Sequence, residues 1–259
     1  MYAKYPQDGV FVLPAGDEVI WRYMDLAKFL SALDRESLFF CRADLLGDLF
    51  EGSYPRGAAV EAGLEQAIAT SINAKNAVES IIETTATAEA RKQVRPAVLV
   101  NCWHIGGHES AAMWKLHLRS GEGIAIKSTV ERLINSLRCD EEVWIGGVRY
   151  LDYESAGLPS MDVFHAFLSK RNSFAHEAEL RAIIWDKERF VGLDGTYPIP
   201  EDKRDVGLYA KTDLDCLIEE IRIVPGAPLW YTELILSLCR RHGLRKAVKQ
   251  SQLDAPCLF

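Results

Sequence analysis

The stretch from Val98 to Leu133, VLVNCWHIGGHESAAMWKLHLRSGEGIAIKSTVERL, constrains this chain more than any other. Its opening apolar run, Val98 to Trp103, reads as a buried strand. Gly106-Gly107 then breaks the chain direction. Glu109 to Leu118 has the length of a helix, and Gly123 to Ser128 reads as a strand leading into another helix. His104, His108, Glu109, Ser110, Trp114 and Lys115 are crowded into this span, next to turns that can bring them together.

The rest of the chain interleaves helices and strands around that centre. Glu18 to Tyr23 reads as a short strand running into a helix opened by Asp25, whose carboxylate suits an N-cap. Leu26, Phe29, Leu30 and Leu33 give that helix an apolar face. Ser37 to Cys41 is a second strand, and LLGDLFEGSYPRG after it is a loop rich in Gly, Pro and acids. Ala58 to Ile82 carries the longest helical pattern, read as core-facing.

Further on, Ser128 and Glu131 form a capping box, and Val143 to Tyr153 reads as a hairpin turned at Gly146-Gly147. Met161 to Leu168 is a helix. Glu177 to Trp185 is a strand with Glu177, Glu179 and Arg181 on one face. Asp186 to Asp205 is a long loop able to cover a cleft. Cys216 to Val224 is a strand, Leu229 to His242 a helix between Pro228 and Gly243, and Ala247 to Leu253 a last strand. With no repeat or linker, the expectation is one α+β domain over residues 1–259. Helices pack on a mixed, largely antiparallel sheet, with a split sheet as an open variant.

Composition enters by exclusion. A net charge of −7 argues against a long duplex nucleic acid as partner, while a short or single-stranded one stays open. The dense basic cluster Arg240, Arg241, Arg245, Lys246 and Lys249 reads as a solvated helix end. Six cysteines without a CxxC pair read as reduced core residues. No stretch has the length of a membrane span, so no membrane partner and a cytoplasmic location are expected. Oligomeric state is left open.

Several chemistries can be weighed residue by residue. Cys102, His104 and His108 make C-x-H-x3-H, but Gly106-Gly107 breaks the helix that would bring the histidines together, so no metal is expected. Cys102 in an apolar strand reads as inert rather than as a thiolate nucleophile. Neither a phosphate loop nor a G-x-S-x-G elbow occurs. Glu109 is a first-turn acid at a helix start, beside Trp114. Glu177, Glu179 and Arg181, with Lys170, Arg171 and His176 near them, form either a solvated ladder of alternating charge or an acid–base site. That site would be able to stabilise an oxocarbenium ion. Arg22 and Arg42 interrupt apolar strands and need an acid or a ligand phosphate.

Taken together, Arg22-Tyr23, Arg42, Asp44, Asp48, Phe50-Glu51, Met113-Trp114, Gly123 to Ile126, Lys170, Phe174, Glu177, Glu179 and Arg181 resemble the motif runs of the bacterial family of unknown function DUF2971. Leu49 stands where that family usually has proline, and His117 where it often has tyrosine. The order of Arg22-Tyr23, Arg42, Ser128-Thr129 and the E-x-E strand also resembles ADP-ribosyltransferases, which use NAD in a split-sheet cleft.

That second resemblance implies an NAD-consuming transferase or glycohydrolase, in a toxin or phage-defence setting. Glu179 would be the catalytic acid, supported by Glu177 and Glu109. Arg22, Arg42 and Arg171 would hold phosphates, Tyr23 or Trp114 would stack on nicotinamide, and Ser128 would mark the strand end. NAD is then a substrate rather than a resident cofactor. A non-enzymatic nucleotide- or phosphate-binding module is the alternative. Either way Arg22, Arg42, Glu109, Trp114 and Glu179 are expected to converge on one cleft.

Overall fold

β3 (Val98–Ile105) is the strand on which the sheet is built, and its two edges are used differently. One edge pairs along its length with β8 (Glu179–Trp185), from Val98↔Trp185 to His104↔Glu179. The other edge is shared. β2 (Ser37–Arg42) meets it at Leu99 and Val100, and β1 (Val19–Asp25) meets it at His104 and Ile105. Between these contacts β1 and β2 diverge, so the sheet forks. The computed structural model of the protein describes residues 11–57, 94–118, 121–157, 163–186 and 206–257.

The sheet has nine strands among these residues. Its order is β11 (Ala247–Gln250), β10 (Glu220–Ile223), β4 (Gly123–Thr129), β1, β3, β2 and β9 (Gly207–Lys211). β8 and then β5 (Val143–Gly147) extend it from the far edge of β3. All pairs are antiparallel except β10 with β11. A separate parallel ribbon joins β6 (Arg149–Leu151) to β7 (Ser169–Arg171). The architecture is α+β with a mixed, mostly antiparallel sheet, as the interleaved pattern predicts.

The fork has a local cause. β1 runs directly into α1 (Leu26–Arg35), which Asp25 caps by accepting the Lys28 N–H at 2.8 Å. The helix buries Phe29 and Leu33 in the core and ends at Glu36, whose φ of 47° turns the chain into β2. α3 (Val130–Ser136) and α6 (Leu229–Arg241) add Val130, Leu133, Tyr231 and Ile235 to the same core. Each such buried side chain contributes about 1.5–3 kcal/mol. A smaller cluster of Phe11, Val98, Val100, Ala166, Phe167, Leu168 and Ile183 forms a second core. α4 (Val163–Phe167) supplies its Ala166 and Phe167.

Several expectations shift. The hairpin at Gly146-Gly147 does not form: β5 pairs with β8, and β6 leaves to pair with β7. Gly146 sits where a Cβ would press on Phe11 and Leu168, so it serves close packing rather than a turn. Thr129, not Ser128, caps α3, accepting the Arg132 N–H at 3.2 Å. α2 (Ala111–His117) starts after Ser110, which accepts the Met113 N–H, so Glu109 precedes the helix. Cys216 lies in a short helix, α5 (Leu214–Leu217), ahead of β10. Ala178, with φ 39°, separates Glu177 from β8. The helix expected over 58–82 and most of the loop over 186–205 lie outside the described residues.

Candidate functional site

A forked sheet leaves backbone groups of β3 without a strand partner, and buried backbone groups must be satisfied. Side chains do this here. Arg22 Nη1 donates to the Cys102 carbonyl at 2.7 Å, with its guanidinium 5.9 Å from the Trp103 ring centre. Asn101 Nδ2 donates to the Phe39 carbonyl of β2 at 2.9 Å, while its Oδ1 accepts the Trp103 indole N–H at 2.7 Å. These bonds satisfy the Cys102 and Phe39 carbonyls and leave space between the prongs. That space is a cleft of about 1010 Å³.

One wall comes from β1 and α2. Tyr23 is buried, and its hydroxyl accepts the Ser110 N–H at 2.7 Å. Its ring meets Trp114 edge-on at 4.9 Å and stacks with the exposed His117 at 6.3 Å. Burial pushes the Tyr23 phenol up to about 12, so it stays protonated. Burial also pulls the Arg22 guanidinium below its ordinary value. Among the described residues Arg22 makes no ion pair. It is a cation in the cleft wall without a protein anion.

The opposite end is a chain of buried charges. Arg181 is fully buried and its Nη2 reaches Glu51 at 3.0 Å and Glu179 at 3.0 Å. Its Nη1 bonds the other Glu51 oxygen and the Phe167 carbonyl. Lys170 Nζ, 5.0 Å from the Phe174 ring centre, bonds Glu177 and lies 3.3 Å from Glu179. Burial alone would raise the Glu179 carboxyl, but Arg181 and Lys170 outweigh it and hold it at about 2. Burial and the same carboxylate push the Cys102 thiol well up, which makes it a poor nucleophile. The His104 ring nitrogen Nδ1 is engaged by the Glu177 carbonyl at 2.6 Å. No cluster of metal ligands occurs among the described residues, nor any helix long and apolar enough to cross a membrane.

Of the residues expected at a site, Arg22, Tyr23, Glu177 and Glu179 line the cleft. Arg42, Glu109, Trp114, Ser128 and Arg171 do not, so the five-residue convergence holds only for Arg22 and Glu179. Each of the others is engaged by a structural partner, near in the chain or far from it. Arg42 clasps Asp44 at 3.0 and 2.7 Å. Ser128 Oγ donates to the Leu217 carbonyl at 2.6 Å, joining β4 to α5. Arg171 holds Asp48 at 2.9 Å and covers the Phe50 ring at 4.1 Å.

Glu109 accepts from the Trp114 indole at 3.0 Å, from Ser251 Oγ at 2.7 Å and from the Gln252 N–H. It therefore fastens the C-terminal segment to α2. Glu109→Ala strips a buried carboxylate from three donors and should cost about 3 kcal/mol, read as a lower urea midpoint. A loss below about 1 kcal/mol contradicts this role.

Glu51, Phe39 and Tyr209 also line the cleft without being expected there, and so does Lys170, which was expected beside Glu179. An apolar strand run broken by one arginine, LRAIIW, was the signal for Glu51. A buried guanidinium needs a carboxylate from elsewhere, and the acid-rich loop DLFEG offers one. Tyr209 carries no local signal.

Fold and site together define a class: an α+β protein whose forked sheet encloses a cleft with an ionised carboxylate at one end and an unpaired arginine in its wall. No family model matches the sequence, and no curated protein or solved structure matches it. The resemblance to DUF2971 thus stands on its motif residues alone.

Proposed function

We propose that the protein cleaves the nicotinamide–ribose bond of NAD, as a glycohydrolase or ADP-ribosyltransferase, with Glu179 as the catalytic carboxylate. The observation that carries this reading is the ionised Glu179 side chain at the end of a large cleft, held at about 2 by Arg181 and Lys170. A carboxyl held that low cannot donate a proton near neutral pH. Cleavage of NAD needs no such donor: the C–N electron pair leaves with nicotinamide, which departs neutral. What the transition state needs is a negative group beside the ribosyl oxocarbenium ion, and Glu179 supplies it. Water or an acceptor hydroxyl then bonds to the ribose carbon and releases its proton to solvent.

Arg22 fits the remaining charge. A half-buried cation that makes no ion pair among the described residues favours a phosphate, and it lies in the wall of the same cleft. The test is incubation with NAD and assay for free nicotinamide. Release is expected; its absence removes the enzymatic reading. The unpaired Arg22 also favours a second reading, a binding module for phosphorylated ligands. Under that reading nucleotides raise the melting temperature and are recovered unchanged.

A further inference from the structure

The end of the cleft away from Glu179 is built differently from the rest. Tyr209 of β9 is 40% exposed, although it lines a cleft and stands beside Phe39 of β2, with ring centres 4.9 Å apart. The Arg35 guanidinium lies over the Tyr209 ring at 4.3 Å. The Tyr209 hydroxyl shares a 2.9 Å hydrogen bond with Ser31, which fixes the ring. Among the described residues Arg35 makes no ion pair, so its charge is not spent on a carboxylate. Ala27, Ser31 and Ala32 of α1 are small and leave this wall open.

We propose that Tyr209 and Phe39, with the Arg35 guanidinium backing the tyrosine ring from outside the cleft lining, form the nucleobase subsite for the adenine half of the dinucleotide. This rests on the reading of Glu179 as the group that faces the ribose. Aromatic faces and a guanidinium are the side chains on which a base stacks regardless of its identity. Register sets the distance. Phe39 pairs with Tyr209, Cys41 with Val100, and His104 with Glu179, so these side chains share one face of the sheet across β9, β2, β3 and β8. Three strand spacings of about 4.8 Å and an offset of two residues separate Tyr209 from Glu179 by roughly 16 Å. A single nucleotide cannot occupy both ends at that span. Two nucleotides joined through a pyrophosphate can, with Arg22 between them.

The test uses the two halves of the dinucleotide, AMP and nicotinamide mononucleotide, in calorimetric titrations of the whole protein. Tyr209→Ala should weaken AMP about tenfold and leave nicotinamide mononucleotide within about twofold of wild type. Tyr209→Phe keeps the ring and should retain AMP. Arg35→Ala, at an exposed position, should weaken AMP about threefold, and it carries the test if Tyr209→Ala fails to fold. Wild-type protein that does not bind AMP overturns the subsite, and so does equal loss of both halves in Tyr209→Ala. The outcomes separate from those for Proposed function. AMP binding that depends on Tyr209, without nicotinamide release, keeps the subsite and removes the enzyme. Nicotinamide release whose KM is unchanged in Tyr209→Ala keeps the enzyme and removes the subsite.

Discussion

Glu179→Gln is expected to lower the proposed nicotinamide release about 10²–10³-fold at saturating NAD, while the affinity for AMP stays near that of the wild type. The expected size follows from what the substitution removes: a full negative charge in a site shielded from water, with the side-chain shape kept. Turnover that survives Glu179→Gln would place the chemistry elsewhere.

The pH dependence has a definite sign. Glu179 falls from an ordinary 4.5 to about 2 in the folded protein, so its ionised form is favoured by folding. That contribution, about 3 kcal/mol, is fully present above pH 4.5 and is lost as pH falls toward 2. Activity is therefore expected to stay flat through pH 4–5, where an unperturbed carboxylate would titrate. An acid limb centred near 4.5 in the pH–rate profile counts against an ion-paired Glu179.

Arg181→Met is expected to cost about 3–5 kcal/mol of stability, read by urea denaturation. It leaves Glu51 buried at 2% exposure with no cation, and Glu179 with Lys170 alone. Glu51→Leu should cost a similar amount by stranding the guanidinium. The double variant should recover part of both losses, because the buried pair itself adds little once its desolvation is counted. Additive losses in the double variant would mean that Glu51 and Arg181 do not act as a pair.

Much of the fold was legible because period and caps are local. Asp25 caps α1 where a single carboxylate ahead of an apolar stripe puts it, and β2, β3 and β4 fall on their apolar runs. The failures share a cause: a partner far away in the chain. Gly146-Gly147 reads as a turn until Phe11 and Leu168 are known to press against it. Ser128 reads as a cap until the Leu217 carbonyl takes its hydroxyl.

The site divides the same way. Arg22 and Glu179 are charges in apolar strands, and that cost is visible in one sequence. Glu109 has the same look, yet its three donors include Ser251 and Gln252 at the other end of the chain, which turns a candidate acid into a fastening. Tyr209 acquires its meaning only from the register of β9 against β2, which no periodicity encodes.

The fork also determines how independently the two ends of the cleft can change. Among the described residues β2 and β9, which carry Phe39 and Tyr209, pair with the central strand at Leu99 and Val100 alone, with the Asn101 side chain adding one bond to the Phe39 carbonyl. Glu179, Arg181 and Lys170 share one network on the opposite side of β3. Substitutions in one prong have few shared contacts with those charges, so their energetic effects combine nearly additively. Under the proposed reading, ligand length can thus drift through the aromatic prong while the carboxylate remains clamped. Reach and reactivity are separately adjustable quantities in this sheet.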